Sequence, residues 1–175
     1  AAPFVPPLPG IETVGYLTSD TMWERLAELD RAPQRLLVLG GGPIGSELAQ
    51  SFARLGSEVT QIEMAPRILI REDEEVSALA KAALEADGVR VLTGHRALAC
   101  GETGGERWIE VETGGATTRI GFDEMIVAVG RSARLQGYGL EELGIAADRV
   151  ITTNDYLETL YPNIFAAGDV AGPYQ

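Results

Sequence analysis

Residues 36–63 read LLVLGGGPIGSELAQSFARLGSEVTQIE, and this stretch decides the fold. The apolar run Leu36–Leu39 leads into Gly40-Gly41-Gly42-Pro43-Ile44-Gly45. An amphipathic segment follows, and a second β-like run ends in an acid, Glu63. A strand, a G-x-G-x-x-G turn opening a helix, and an acid about 20 residues further on together make the dinucleotide-binding fingerprint. Gly40 lets the chain turn sharply out of the strand. Gly42 has no Cβ, so a pyrophosphate can approach the backbone, and Gly45 lets the helix pack closely on the strand. Pro43 suits the first helical turn, where its missing N–H has no intrahelical partner. The helix N-terminus offers unpaired N–H groups and a positive dipole end to phosphates.

Glu63 bears on which dinucleotide is bound. A carboxylate ending the second strand accepts hydrogen bonds from adenosine ribose hydroxyls and repels a 2′-phosphate, which favours NAD over NADP. Arg67 and Arg71 lie just beyond it and are read as solvated surface rather than as a phosphate site.

Working outward, the stripe Ile44, Leu48, Phe52, Leu55 predicts a helix from Pro43 to about Leu55, ended by Gly56. Glu58–Glu63 is the second strand. A helix capped by Asp73 runs to Asp87-Gly88, and Val89–Leu92 is the third strand. Upstream, residues 1–18 carry Pro3, Pro6, Pro7 and Pro9 and read as an extended connector. Ser19 or Asp20 caps a helix to about Leu29, with Met22, Trp23, Leu26 and Leu29 on its apolar face.

Downstream, RALAC, RWIEVET and TTRIGF are short β-like runs separated by Gly/Thr turns, which predicts an antiparallel meander over 96–121. Met125–Val129 returns to the parallel sheet and stops at Gly130. A short helix is expected near Leu140–Leu143, and NIFAAGDVAG reads as an apolar strand closed by Gly168-Asp169. The expected fold class is α/β: a Rossmann-like parallel sheet with a βαβαβ core and an inserted three-stranded antiparallel meander.

Composition narrows the chemistry. The 175 residues carry a net charge of −12, which argues against nucleic acid and anionic membrane as partners. No apolar stretch is long enough to span a bilayer, and no signal-peptide pattern is present. The one cysteine, Cys100, excludes an internal disulfide, reads as a small core residue and fits a reducing, cytoplasmic setting. There is one histidine, His95, read as a surface loop residue, and one lysine, Lys81, read as solvent-facing. No CxxC metal site can form. No tyrosine stands four residues before Lys81, so the Tyr-x-x-x-Lys pair of short-chain dehydrogenases is missing. The chain can hold a dinucleotide and carries little machinery to use it, and neither catalytic nor metal-binding residues are assigned.

Three motifs in order, GGGPIGSELAQSFARLGSEVTQIE, the meander followed by VAVGR, and YPNIFAAGDVAG, resemble the flavin-dependent pyridine nucleotide–disulfide oxidoreductases, the family of dihydrolipoamide dehydrogenase and mercuric reductase, and look closest to its mercuric-reductase-like members. In that family a nicotinamide domain interrupts a flavin domain. The resemblance implies a connector from the flavin domain at 1–18, an NAD(P)-binding domain at 19–150, and a return segment at 151–175 that belongs to the flavin domain. It implies that Glu47, by sequence a first-turn acid, lies near the nicotinamide. Gly130 would lie in a loop whose backbone passes the cofactor, Ile44 just inside the fingerprint turn, and Asp169 at the ribityl chain of FAD.

Arg131-Ser132-Ala133-Arg134 departs from the family's Arg-x-Pro-Asn, and Glu63 departs from the NADPH preference of typical mercuric reductases. No second fingerprint, paired redox cysteines or dimerisation domain is found. The expectation is therefore a fragment, inactive alone, of an FAD-dependent homodimeric oxidoreductase in which NADH gives hydride to flavin. A self-standing redox-sensing nucleotide module is the alternative. The final electron acceptor would be set by residues outside the chain.

Overall fold

The computed structural model describes residues 1–171. The chain divides into two compact units, 3–130 and a smaller one made of residues 1–2 with 131–171. A two-residue strand β1 (Ala2–Pro3) opens the chain, followed by the one-turn helix α1 (Ile11–Val14) and by α2 (Met22–Ala27).

The larger unit then runs β2 (Arg35–Leu39), α3 (Pro43–Arg54), β3 (Glu58–Glu63), α4 (Glu74–Ala86), β4 (Arg90–Thr93), β5 (Arg96–Thr103), β6 (Glu106–Thr113), β7 (Ala116–Phe122) and β8 (Glu124–Val127). The strands β4-β3-β2-β8 form one sheet in that order, every pair parallel. Leu39 is in register with Ile62 on one side and Val127 on the other. From β2 the chain builds outward through β3 and β4, and β8 is then added on the opposite side of β2. The order therefore reverses at β2, a topological switch point, and crevices at switch points are where open α/β sheets bind ligands.

Near-continuous apolar strands such as Leu36–Leu39 need both faces covered. One face, through Leu36, Val38, Val59 and Ile126, packs on Ala49 and Phe52 of α3, Leu84 of α4 and Met22 of α2. The other face, through Leu37, Leu39, Ile62, Met125 and Val127, packs on Ile109, Val111, Ile120 and Phe122 of the antiparallel sheet β5-β6-β7. The result is three layers: helices, parallel sheet, meander. The meander turns at Gly104-Gly105 and Gly114-Gly115, where all four residues have φ between 58° and 83°. The pairs Thr103↔Glu106 and Thr113↔Ala116 close two-residue loops, the positive-φ hairpin type that glycine favours. A bulge between Ala97 and Ala99 shifts the register of β5. Arg35 joins layers at the sheet's base. Its guanidinium reaches Asp123 at 2.8 Å and Glu106 at 2.6 Å, and holds the Asp123 carboxyl below the usual carboxylate range by hydrogen bonding.

Five local expectations change. Residues 1–18 are not extended throughout: Ile11, Val14 and Leu17 are buried, and Leu17 bridges Ile126 in parallel. Gly10 starts α1 with φ 80°, and a Cβ there would meet the Cys100 carbonyl, so apolar burial folds the segment despite its prolines. In α2, Met22 is 2% exposed but Trp23 is 65% exposed, because Met22 and Leu26, four apart, set the inward face and Trp23 lies off it. Asp73 is the N-cap of α4 by position, yet its side chain makes no cap bond.

In the smaller unit, which includes the two-residue strand β9 (Arg131–Ser132), Leu140–Gly144 is a turn rather than a helix, tied by Ile145 N–H to the Leu140 carbonyl. There the segment from Asn163 pairs only at Phe165, with Glu158, before a one-turn 3-10 helix at Gly168–Val170. Gly172, the end of the NIFAAGDVAG motif, lies outside the described residues, as do the last three residues. Leu140, Ile145, Ile151, Ala166 and Ala171 form that unit's own core.

Candidate nucleotide site

Gly40 follows β2 directly. Its N–H still pairs in the sheet, donating to the Ile62 carbonyl at 2.8 Å, and its φ is +119°. A Cβ on Gly40 would lie 2.4 Å from the Ala128 carbonyl oxygen, so the turn is wedged against the end of β8 at the switch point. Only glycine combines that dihedral with that approach. A Cβ on Gly45 would lie 2.3 Å from the Gly40 carbonyl oxygen, and one on Gly41 would lie 2.9 Å from the Glu63 side chain. Gly42 is the opposite case: a Cβ there would meet nothing within 4 Å. It serves as N-cap of α3 with extended backbone, Pro43 occupies the first turn, and the Ser46 N–H makes the first helical bond to the Gly42 carbonyl. Helix geometry leaves the amides of Ile44 and Gly45 without intrahelical acceptors.

Glu63 closes the turn from β3. One carboxylate oxygen accepts from the Gly41 N–H at 2.6 Å and the other from the Ala65 N–H at 2.6 Å. A carboxylate has roughly four lone-pair sites, so acceptor capacity remains after both bonds. Gly130, just past β8, has φ +142°, open space where a Cβ would be, and a carbonyl that accepts from Phe4 N–H. Gly40, Gly42, Pro43, Ile44, Gly45, Glu63 and Gly130 thus gather at the carboxyl ends of β2, β3 and β8. Glu47 is exposed on α3 at its fifth residue, past the first turn, where the dipole's pull on an acid has faded. Asp169 belongs to the smaller unit, exposed on the Gly168–Val170 turn.

Two contributors escaped the sequence reading. Gln61 is fully buried, and its Nε2 donates to the Gly40 carbonyl at 3.0 Å and to Ser46 Oγ at 3.2 Å, while its Oε1 has no partner. The available signal was a polar residue at an inward position of a buried parallel strand, two before Glu63 and so on the same face. The second is the loop after β3. Leu69 N–H donates to the Gly41 carbonyl at 2.7 Å from a φ of 48°, with Ile68 fully buried beside it and the Ile68 carbonyl accepting from Ser77 Oγ at 2.6 Å. No local pattern marks that loop.

Other reactive side chains are engaged elsewhere. Arg67 donates to the Glu72 carbonyl at 2.7 Å, and Lys81 pairs with Glu85 at 3.7 Å. His95 Nδ1 lies 2.7 Å from the Thr93 carbonyl oxygen. Cys100 is buried, and burial pushes its thiol up to about 11, which keeps it protonated and unreactive. Among the described residues no group of His, Cys, Asp and Glu could hold a metal, and no helix is long and apolar enough to cross a membrane.

The glycine pattern therefore fits a dinucleotide: backbone closed where layers pack, open at Gly42 and Gly130, with a fixed carboxylate beside the turn. Comparison with known proteins gives the family. Residues 1–175 match the family model described as pyridine nucleotide-disulphide oxidoreductase. A dihydrolipoyl dehydrogenase of Thermus scotoductus is 41% identical over 166 residues, covering 91% of this chain and 36% of that protein. A mercuric reductase of Staphylococcus aureus is 36% identical over 176 residues, covering 99% of this chain and 31% of that one. The Cu(II) complex of the flavoprotein disulfide reductase RclA from Escherichia coli matches with a TM-score of 0.83 at 32% identity, over all of this chain and 38% of that one. The chain spans about a third of the length of these relatives. With the whole sequence matched and the parallel sheet and meander in place, the chain belongs to the pyridine nucleotide-disulphide oxidoreductase family.

Proposed function

We propose that this chain is the NAD(H)-binding part of an FAD-dependent oxidoreductase. The observation that carries the reading is the contrast within one turn: Gly41 and Gly45 have no room for a Cβ, while Gly42 has nothing within 4 Å. Packing accounts for the first two glycines. It gives no reason for the third, and a pyrophosphate that must touch backbone does. When bound, the nicotinamide supplies a hydride for the flavin of the intact protein.

The residues of this chain bind and orient. The amides of Ile44 and Gly45, with the α3 dipole, hold the pyrophosphate, and Pro43 leaves that first turn preformed. Glu63, anchored by two backbone N–H groups, offers its remaining lone pairs to ribose hydroxyls and disfavours a 2′-phosphate, so NAD is preferred to NADP. Glu47 faces the nicotinamide end, and Gly130 lets the cofactor pass close to backbone. Asp169 serves the flavin, and residues 151–175 return to a flavin domain to which 1–18 connects. The intact protein is a cytoplasmic homodimer, and the chain alone does not turn over substrate.

Titration of the full chain with NADH and with NADPH, followed by nucleotide fluorescence, tests this. NADH binds more tightly, and Glu63→Gln narrows the difference. Absence of binding by either nucleotide would sink the reading, and preference for NADPH would sink the role given to Glu63.

A further inference from the structure

The Gly40 carbonyl and the Gly41 N–H belong to a single peptide group, and two side chains of β3 grip its two ends. Gln61 Nε2 donates to the oxygen at 3.0 Å, and Glu63 accepts from the nitrogen at 2.6 Å. Side chains two apart on a strand share a face, so a donor–acceptor pair at this spacing can match the acceptor–donor pair of one peptide. A Gly–Gly peptide needs such a grip. Rotation of the plane between two residues without Cβ meets little steric resistance, and flipping it leaves the chain path nearly unchanged. In the flipped state the Gly40 carbonyl would leave Gln61 and its partial negative charge would turn toward the open side of the turn, against any phosphate. Gly45 makes the grip possible: its missing Cβ would stand 2.3 Å from the Gly40 oxygen and 3.5 Å from Gln61 Nε2.

We propose that Gln61 is a positioning residue of the nucleotide site: together with Glu63 it fixes the plane of the Gly40–Gly41 peptide and so sets how Gly42 is presented. This rests on the proposed nucleotide site. Gln61 touches no ligand itself, being fully buried behind the turn. Its amide is committed by its other bond, to Ser46 Oγ on α3, so one side chain ties strand, turn and helix together.

The test compares NADH dissociation constants of the full chain, well below the melting temperature, for wild type, Gln61→Met and Phe52→Leu. Methionine keeps the volume and removes the donor. Phe52→Leu weakens the core at the far end of α3 and reports what loss of stability alone does. The expected result is a loss of NADH affinity of roughly five- to tenfold in Gln61→Met and none in Phe52→Leu at comparable melting temperatures. Equal affinity in wild type and Gln61→Met overturns the proposal and leaves the nucleotide reading standing. If wild type binds neither NADH nor NADPH, the nucleotide reading fails and this role with it. Should Gln61→Met not fold, NMR on wild type decides: side-chain amide protons of Gln61 that are shielded from exchange and shift on NADH addition support the role. Rapidly exchanging, unshifted protons overturn it.

Discussion

Two glycine turns in this chain carry candidate cofactor residues, and they are built in opposite ways. The Gly40–Gly45 turn is braced on every side: Gln61, Ile62 and Glu63 from β3, Leu69 from the following loop, and Ala128 across the sheet. The Gly168–Val170 turn is held by backbone bonds from Ala171 N–H to the Gly168 carbonyl and from Ile151 N–H to the Val170 carbonyl, and a Cβ on Gly168 would meet nothing within 4 Å. The first motif states a packing solution, so its spacing can be understood from physics alone. The second is a short exposed turn whose meaning comes from resemblance to a family. A motif is worth most as evidence when each fixed position has a steric reason.

Mutation should separate the two turns. Gly45→Val is expected to have the largest effect, about 3 kcal/mol or more of destabilisation in urea unfolding, because the new Cβ would overlap a carbonyl that is itself wedged. A mild effect would mean that the turn has slack. Gly42→Val comes next and moves a different quantity. Stability stays within about 0.5 kcal/mol, since the backbone is extended and the space open, while NADH affinity falls by about tenfold or more. Unchanged affinity would refute the placement of the pyrophosphate.

Gly168→Ala should cost only about 1 kcal/mol, the strain of φ +77° without a clash. A loss as large as that of Gly45→Val would break the contrast. The smallest effect is at the base of the sheet. Asp123 has its folded-state pKa lowered by Arg35, so it contributes stability above the ordinary carboxylate value, and this is lost as pH falls through the folded one. Both side chains are more than a third exposed, which limits the contribution to under about 1 kcal/mol. Asp123→Asn should therefore lower the urea midpoint near pH 7, and its difference from wild type should shrink as pH falls below the ordinary carboxylate range.

The elements legible in the sequence were those fixed by near neighbours. β2, α3 and β3 lie within a residue of their expected bounds, because an apolar run, a glycine turn and a helical stripe are local signals. The meander was legible from its paired glycines. What escaped depends on contacts distant in sequence. Gln61 reads as an anomaly in a strand until Gly40 and Ser46 are placed around it. Ile68 is buried only because the loop folds back over Gly41. Trp23 was assigned to the apolar face of α2, but Met22 and Leu26 make that face and leave Trp23 outside it. Glu47 was placed in a first turn that had already closed. The site's glycines were visible one by one, and the peptide grip that gives two of them an orientation was not.

The bond between Arg35 and Asp123 spans 88 positions, while β2 and β3 pair across a connection of one helix. Closing the larger loop carries a greater entropic cost, and rates fall as contacts become less local. The strand on which Gly40 leans is thus the last of the parallel set expected to dock during folding. Met125→Ala should accordingly speed unfolding and leave refolding nearly unchanged in a denaturant chevron. During folding, the cofactor turn would exist in rough form before its second wall arrives, and it becomes a defined surface only when the most distant pairing of the parallel sheet, β2 with β8, is made.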